Sequence, residues 1–326
     1  MGYGNYSYDA HRDITQSRSN QSRAEVFAQS NVHPLMNPFG VGMRECFDSA
    51  DHPNSVPIIF ALDVTGSMGV IPEQLAKKEL PQFMKTLLDI KVPDPQVMFM
   101  MVGDAACDRG PLQIGQFEST AQDMDRWLTW SWLEGGGGGN GSESYEMAMY
   151  FAARHTDIDC ANKRKKRGYF FMTGDENPYP SVSASVVKAL LGDVNETDIP
   201  LKQVCDELAA IYHPFFLIPD PNRRGNCEAA WRAVFGDHVV VMESSADTCY
   251  VAAALVSLCE GNLPNVEAVA KELEHQGLER QRVGGIMRAV TPFAATLFHP
   301  PTVPPQGGRL ERDGNPAPQL QPALFP

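Results

Sequence analysis

Short apolar runs recur along the middle of the chain, each followed by a stretch with helical spacing. This alternation limits the possible folds more than any other feature. The runs are VPIIFAL (56–62), QVMFMMV (96–102), GYFFMT (168–173), HPFFLIP (213–219) and HVVVM (238–242). Apolar side chains at nearly every position, rather than every second one, mean strands buried on both faces. Between them lie helical patterns. IPEQLAKKELPQFMKTLLDI has apolar residues at Leu75, Leu80, Met84 and Leu87, with a kink or break expected near Pro81. TAQDMDRWLTWSWL (120–133) starts at Thr120 as an N-cap, NCEAAWRAVFG ends at Gly236, and DTCYVAAALVSLCEG (247–261) stops at Gly261. SESYEMAMYFAARHT is a further helix. PLQIGQFE (111–118) has a period of two and reads as an edge strand with Leu112, Ile114 and Phe117 inward.

The series predicts an α/β fold of the Rossmann-like, doubly wound kind. Its mostly parallel sheet carries helices on both faces and one antiparallel edge strand. The pattern occupies residues 55–262. A polar arm, 1–54, precedes it, in which SRAEVFAQ reads as one short helix and the rest as irregular chain. A helical extension follows at 263–298, then a proline-rich tail at 299–326, expected to be disordered. The net charge of −13 disfavours nucleic acid or an anionic membrane as partner and suits a cation or a basic surface. No apolar stretch is long enough to span a membrane, and MGYGNYSYDAHRD lacks the basic and apolar regions of a secretory signal. The seven cysteines form no C-x-x-C pair, so they read as reduced thiols of a cytoplasmic protein. Met98, Met100 and Met101 read as core, and the KRKKR block (163–167) as a solvated loop. Trp127, Trp130 and Trp132 cannot share one helix face, so one is expected at the surface.

In an open parallel sheet, ligands bind at the carboxyl ends of the strands. The first run ends in FALDVTGSMG (60–69), which places Asp63, Thr65 and Ser67 at alternate positions. After GYFFMT come Gly174, Asp175 and Glu176, and after QVMFMMV come Gly103 and Asp104. GGGGGNGSESYE lies ahead of the 142–154 helix. These groups are carboxylates, hydroxyls and an amide, with no His, Cys or Lys. Such hard oxygen donors suit Mg²⁺, Mn²⁺ or Ca²⁺ rather than Zn²⁺ or Cu²⁺. Taken singly, Asp, Thr and Ser are ordinary helix caps and a glycine run is an ordinary loop. The case for a metal site is that separate segments arrive at one end of the sheet. Asp104 and Asp108 read as solvated loop residues.

The combination resembles a von Willebrand factor A (VWA) domain of the intracellular type, with its metal-ion-dependent adhesion site. Asp63, Thr65 and Ser67 match the family's first motif, D-x-[ST]-x-S. Asp175 matches its later Asp, with Gly174 standing between it and Thr173. The middle loop lacks the family's usual Thr and is similar to variants reading GGG-D-x-P-E. On that alignment Asn140 takes the ligand position and Glu143 the glutamate, with Ser142 as a competing ligand. The resemblance implies Mg²⁺ (or Mn²⁺) held by Asp63, Thr65, Ser67, Asn140 and Asp175. A carboxylate of a protein partner would fill an open position on the ion. It also implies an adaptor or assembly factor, in some relatives beside an AAA+ ATPase, and not an enzyme.

Two rival readings remain. DVTGS and MTGDEN also resemble motifs of haloacid-dehalogenase-like phosphotransferases, which would make Asp63 a nucleophile. Against this, Val64 stands where that motif has lysine, and FGDHVVV (235–241) lacks the second Asp of a later motif. The other rival is a VWA-fold structural protein whose metal site no longer functions.

Overall fold

Alternate residues of the central strands enter two different cores, and this explains their unbroken apolar sequence. The computed structural model describes residues 4–136 and 139–298, apart from the side chains of Ser67 and Phe298. The proline-rich tail lies outside the described residues. The main strands are β1 (Val56–Asp63), β2 (Pro95–Val102), β3 (Leu112–Ile114), β4 (Gly168–Thr173), β5 (Tyr212–Ile218) and β6 (Val239–Val241). They form a six-stranded sheet in the order β6-β5-β4-β1-β2-β3. Every pairing is parallel except that of β2 with β3, which is antiparallel. The chain is therefore an α/β protein with a mostly parallel sheet and one antiparallel edge.

The helices used below are α1 (Tyr8–Ser17), α2 (Leu80–Asp89), α3 (Ala121–Thr129), α4 (Tyr145–Arg154), α5 (Leu201–Ile211), α6 (Arg224–Phe235), α7 (Thr248–Glu260), α8 (Val266–His275) and α9 (Arg280–Phe298). Ile58, Phe60 and Leu62 of β1 join a core with α2, α7, α8 and α9. Ile59 and Ala61 face the other way and join α4, α5 and α6. The period of two in a strand sends successive side chains to opposite faces. Met98 and Met100 lie in the second core, and Met101 in the first. At its far end α7 stops where Gly261 turns left-handed, at φ 70°.

Several expectations need correction. The irregularity expected near Pro81 is a wide π turn over Leu75–Glu79, just before the proline. The N–H of Leu80 donates to the carbonyl of Leu75, so the ladder slips one residue before reaching Pro81, which has no N–H to give. Helix α3 ends at Thr129, earlier than expected. Trp132 beyond it is buried, and Trp127 and Trp130 are half-buried, with His33 stacked on Trp130 at a centroid distance of 4.2 Å. Gln113 of the edge strand is buried too, its amide bonded in both directions to the backbone of Trp132.

The polar arm is more ordered than its composition suggests. Ser7 caps α1 by accepting from the N–H of Ala10, and His11 and Thr15, four residues apart, form its buried face. Arg18 just beyond makes a bidentate pair with Asp125 of α3. Farther on, Arg44–Cys46 pairs in parallel with Thr156–Ile158, outside the main sheet. Arg164 of the basic block is tied to Asp48 and to the carbonyl of Ser55, while the other four basic residues of that block are exposed. All seven cysteines are free, and Cys107 is exposed.

If the Arg18–Asp125 pair anchors the arm, Arg18→Ala leaves a carboxylate only 6% exposed without its partner. The expected loss is about 2 kcal/mol. It should appear as a lower urea midpoint with an unchanged slope, and Asp125→Ala added to the same chain should recover part of it.

Candidate functional site

The strand order reverses at β1. Its successor β2 lies on one side of it, and β4, the next parallel strand, on the other. The crevice outside the carboxyl ends of β1 and β4 is therefore the topological switch point, where ligands of such sheets bind. Register sets what faces it. Leu62 pairs with Thr173, so Gly174 comes level with Asp63 at the sheet's end. Loops from three directions are tied together there. The N–H of Gly66 donates to the carbonyl of Gly136 (2.9 Å), and Ser142–Glu143 pairs with Asn177–Pro178.

Asp63 shares its strand parity with Ile59 and Ala61, so it points toward α4. It is fully buried. One carboxylate oxygen accepts from both the backbone N–H (2.8 Å) and the hydroxyl (2.6 Å) of Thr65. The other accepts from the hydroxyl of Tyr145 at 2.6 Å. Burial nonetheless pushes its pKa up to about 7, with the charge of Asp175 adding to the rise and these hydrogen bonds opposing it. Tyr145 was not singled out in the sequence. Its ring packs edge-on against Phe216 and Trp231 and lies directly over Gly174. A Cβ at position 174 would stand 2.3 Å from the tyrosine oxygen and 2.6 Å from the ring. Gly174 thus clears the path by which Tyr145 reaches Asp63.

Glu143 and Asp175 complete the group near Asp63. Glu143 is 3% exposed, and its Oε2 has no hydrogen-bond partner. Burial pushes its carboxyl up to about 9, with the charges of Asp63, Asp104 and Asp108 raising it further. Asp175 is equally buried and is paired with Arg223, from the loop that follows β5. The Thr173 hydroxyl at the end of β4 is also buried without a partner. Ser142 is half-buried at the start of the short strand. The side chain of Ser67 lies outside the described residues, as do Gly137 and Gly138 of the glycine run.

Asn140 departs from its expected place. Its amide nitrogen donates to Asp104 Oδ2 and to the Tyr179 hydroxyl, both at 2.9 Å, and its oxygen accepts from the N–H of Ser142. The structure brings it to Asp104, and shows no bond from it to Asp63, Thr65 or Asp175. Asp104 itself is fully buried, not a solvated loop residue. It accepts from Tyr179 (3.0 Å), Ser144 (3.4 Å) and the N–H of Ala106 (3.0 Å). Its position just past the end of a doubly buried strand, with only Gly103 between, was the available signal. Asp108 is half-buried, where it accepts from the N–H of Asp104 at 2.7 Å.

The donors near Asp63 are oxygens, which suits a hard divalent cation. The Thr65 hydroxyl spends its proton on Asp63 and keeps lone pairs, and Glu143 Oε2 is a buried carboxyl oxygen without a hydrogen-bond partner, which a bound cation would hold deprotonated. Both fit such an ion. Among the described residues, no three His, Cys, Asp or Glu side chains are placed to share a metal directly. An ion here would take hydroxyl oxygens and reach some carboxylates through water.

Compared with known proteins, the chain matches no family profile and no curated relative. Two thirds of the chain aligns with solved structures at low identity. One is proximal thread matrix protein 1 of the mussel byssus, at 11% identity, TM-score 0.40, over 67% of this chain and 49% of that one. Another is the pilus adhesin SpaC of Lactobacillus rhamnosus GG in its open conformation, at 10% identity and TM-score 0.42, over 67% of this chain and 30% of the adhesin. The chain thus matches less than half the length of each. Among the described residues, no helix is long and apolar enough to cross a membrane.

Two outcomes follow from the packing around Asp63. Gly174→Ala should displace the Tyr145 ring and cost about 2 kcal/mol, read by chemical denaturation. The pH dependence has a definite sign. A carboxyl with a folded pKa of about 7 against an ordinary 3.8 favours folding while it stays protonated. That contribution is complete below about pH 4 and is lost as pH rises through 7. In EDTA, Asp63→Asn should therefore gain on wild type by about 2–4 kcal/mol between pH 4 and 8. A constant difference across that range would contradict the assignment.

Proposed function

We propose that this chain is a divalent-cation-dependent protein-binding module of the VWA type. The observation that carries the reading is the convergence of Asp63, Thr65 and Glu143 beside Asp175 at the sheet's switch point, with Glu143 Oε2 buried and unpartnered. Thr65 would hold Mg²⁺ or Mn²⁺ directly, with Asp63, Glu143 and Asp175 reaching it in part through water, and with Ser67 as the further ligand that the first motif supplies. Bound there, the ion would provide an electrophilic position for a carboxylate of a partner protein. The chain's own part is to hold the donors in place. Thr65 and Tyr145 fix both oxygens of Asp63, Gly174 admits Tyr145, and the Gly66 N–H on the Gly136 carbonyl ties the first loop to the start of the glycine run.

A binding role fits the site better than phosphoryl transfer from Asp63. That carboxylate is fully buried, and both oxygens already accept short hydrogen bonds. A nucleophile needs an exposed lone pair in line with its target. The acidic chain suits a partner that is neither nucleic acid nor an anionic membrane. The resemblance to intracellular VWA proteins extends the proposal to a cytoplasmic adaptor or assembly factor, with an AAA+ ATPase as one class of partner.

Thermal melts in EDTA and in excess Mg²⁺ test the reading. At about 100 times Kd the ion adds roughly 2.7 kcal/mol. Wild type should show the corresponding rise in Tm, and Asp63→Ala should show none. Equal melts with and without Mg²⁺ or Mn²⁺ in wild type would overturn it. Hydrolysis of p-nitrophenyl phosphate that Asp63→Asn abolishes would establish the phosphotransferase instead.

A further inference from the structure

Asp175 already has a cation, and the protein itself supplies it. Arg223 reaches it from the loop between β5 and α6, where it is the last residue before the helix. A turn holds it there: the Asp220 side chain accepts from the N–H of Asn222 at 2.8 Å, and the Asp220 carbonyl accepts from the N–H of Arg223 at 3.0 Å. The two members of the pair differ sharply in accessibility. The Asp175 side chain is 5% exposed, whereas that of Arg223 is 43% exposed. Its neighbour Arg224 turns away and pairs with Glu228 one helical turn on.

This placement sets up a competition. A guanidinium on Asp175 satisfies a buried carboxylate whose charge otherwise bears on Asp63. A divalent ion held by Asp63, Thr65 and Glu143 would draw on the same negative charge. The carboxylate cannot serve both cations fully, and two cations packed against it repel each other. The buried partner is fixed at the end of a strand, while the exposed one sits on a loop and has water to move into.

We propose that Arg223 is a tethered competitor of the divalent ion, holding Asp175 until the ion displaces it and frees the β5–α6 loop. The inference rests on the metal-binding reading above. It adds that ion affinity is deliberately moderated and that ion binding is felt along residues 219–226, at the start of α6. The site then behaves as a switch with two cationic states, one internal and one external. Because the displaced guanidinium remains at the rim, it adds positive charge beside the position that an acidic partner approaches.

Mg²⁺ titrations followed by calorimetry, with melts in EDTA and in Mg²⁺, test this on wild type, Arg223→Gln, Arg223→Lys and Arg224→Gln. Arg223→Gln should melt lower than wild type in EDTA, because Asp175 loses its partner. It should nevertheless bind Mg²⁺ about tenfold more tightly, which corresponds to about 1.4 kcal/mol. Arg224→Gln removes the same formal charge one residue away and should change affinity less than twofold. Arg223→Lys should fall between wild type and Arg223→Gln. In wild type, Mg²⁺ should speed amide exchange over 219–226, and in Asp63→Ala it should not. Equal affinities for wild type and Arg223→Gln, or equal gains from Arg223→Gln and Arg224→Gln, would overturn the competitor while leaving the metal site standing. No binding by any variant would overturn both. Binding by Arg223→Gln alone would support the competitor in its strongest form.

Discussion

A carboxylate buried at the end of a parallel strand is the constraint around which this structure is organised. Asp63 cannot move away from the crevice, because β1 is the middle of three parallel strands whose side chains fill both cores. Its charge must therefore be met where it stands. Thr65 supplies two donors from the next turn of chain, and Tyr145 supplies a third from the opposite helix. Three donors of this kind normally hold a carboxylate well below its ordinary pKa. Here the carboxyl stands near 7, so desolvation outweighs them. The imbalance leaves room for further positive charge, and that is the physical basis of the proposed metal site.

The surrounding loops make sense as consequences. Gly174 exists for the approach of Tyr145, and the aromatic packing of Tyr145, Phe216 and Trp231 fixes the ring that carries the donor. Short strand pairing between Ser142–Glu143 and Asn177–Pro178 brings Glu143 in beside Asp63. Asp104, Asn140, Ser144 and Tyr179 form a neighbouring hydrogen-bonded network that braces the glycine loop from the side of β2. Asn140 serves this brace. The acidic groups of the crevice thus form two adjoining sets: a hydrogen-bonded one around Asp104, and Asp63 with Glu143, the latter raised by the charges of both.

The sheet was legible because doubly buried strands write themselves as apolar runs, and Asp63 was legible because it ends one. Parity then decides which face it joins, although the sequence alone does not say which helix covers that face. Tyr145 was hidden for this reason: it opens α4 as an ordinary apolar helix residue, and only register reveals that it lies level with Gly174 and Asp63. Arg223 sits in PDPNRRGN, where two adjacent arginines look alike until the turn at Asp220 directs one inward and the other along α6. Asn140 was assigned by alignment of a loop, and loop alignments carry little information about side-chain direction. In the arm, α1 escaped detection because its buried face is His11 and Thr15, which give no hydrophobic period to read.

The most direct test of the account is anomalous diffraction from crystals grown or soaked with Mn²⁺. The account predicts one anomalous peak at the carboxyl ends of β1 and β4, within direct or water-bridged reach of Asp63, Thr65, Glu143 and Asp175. A well-ordered crevice in saturating Mn²⁺ with no peak there, or a peak held instead by the Asp104 network, would contradict it.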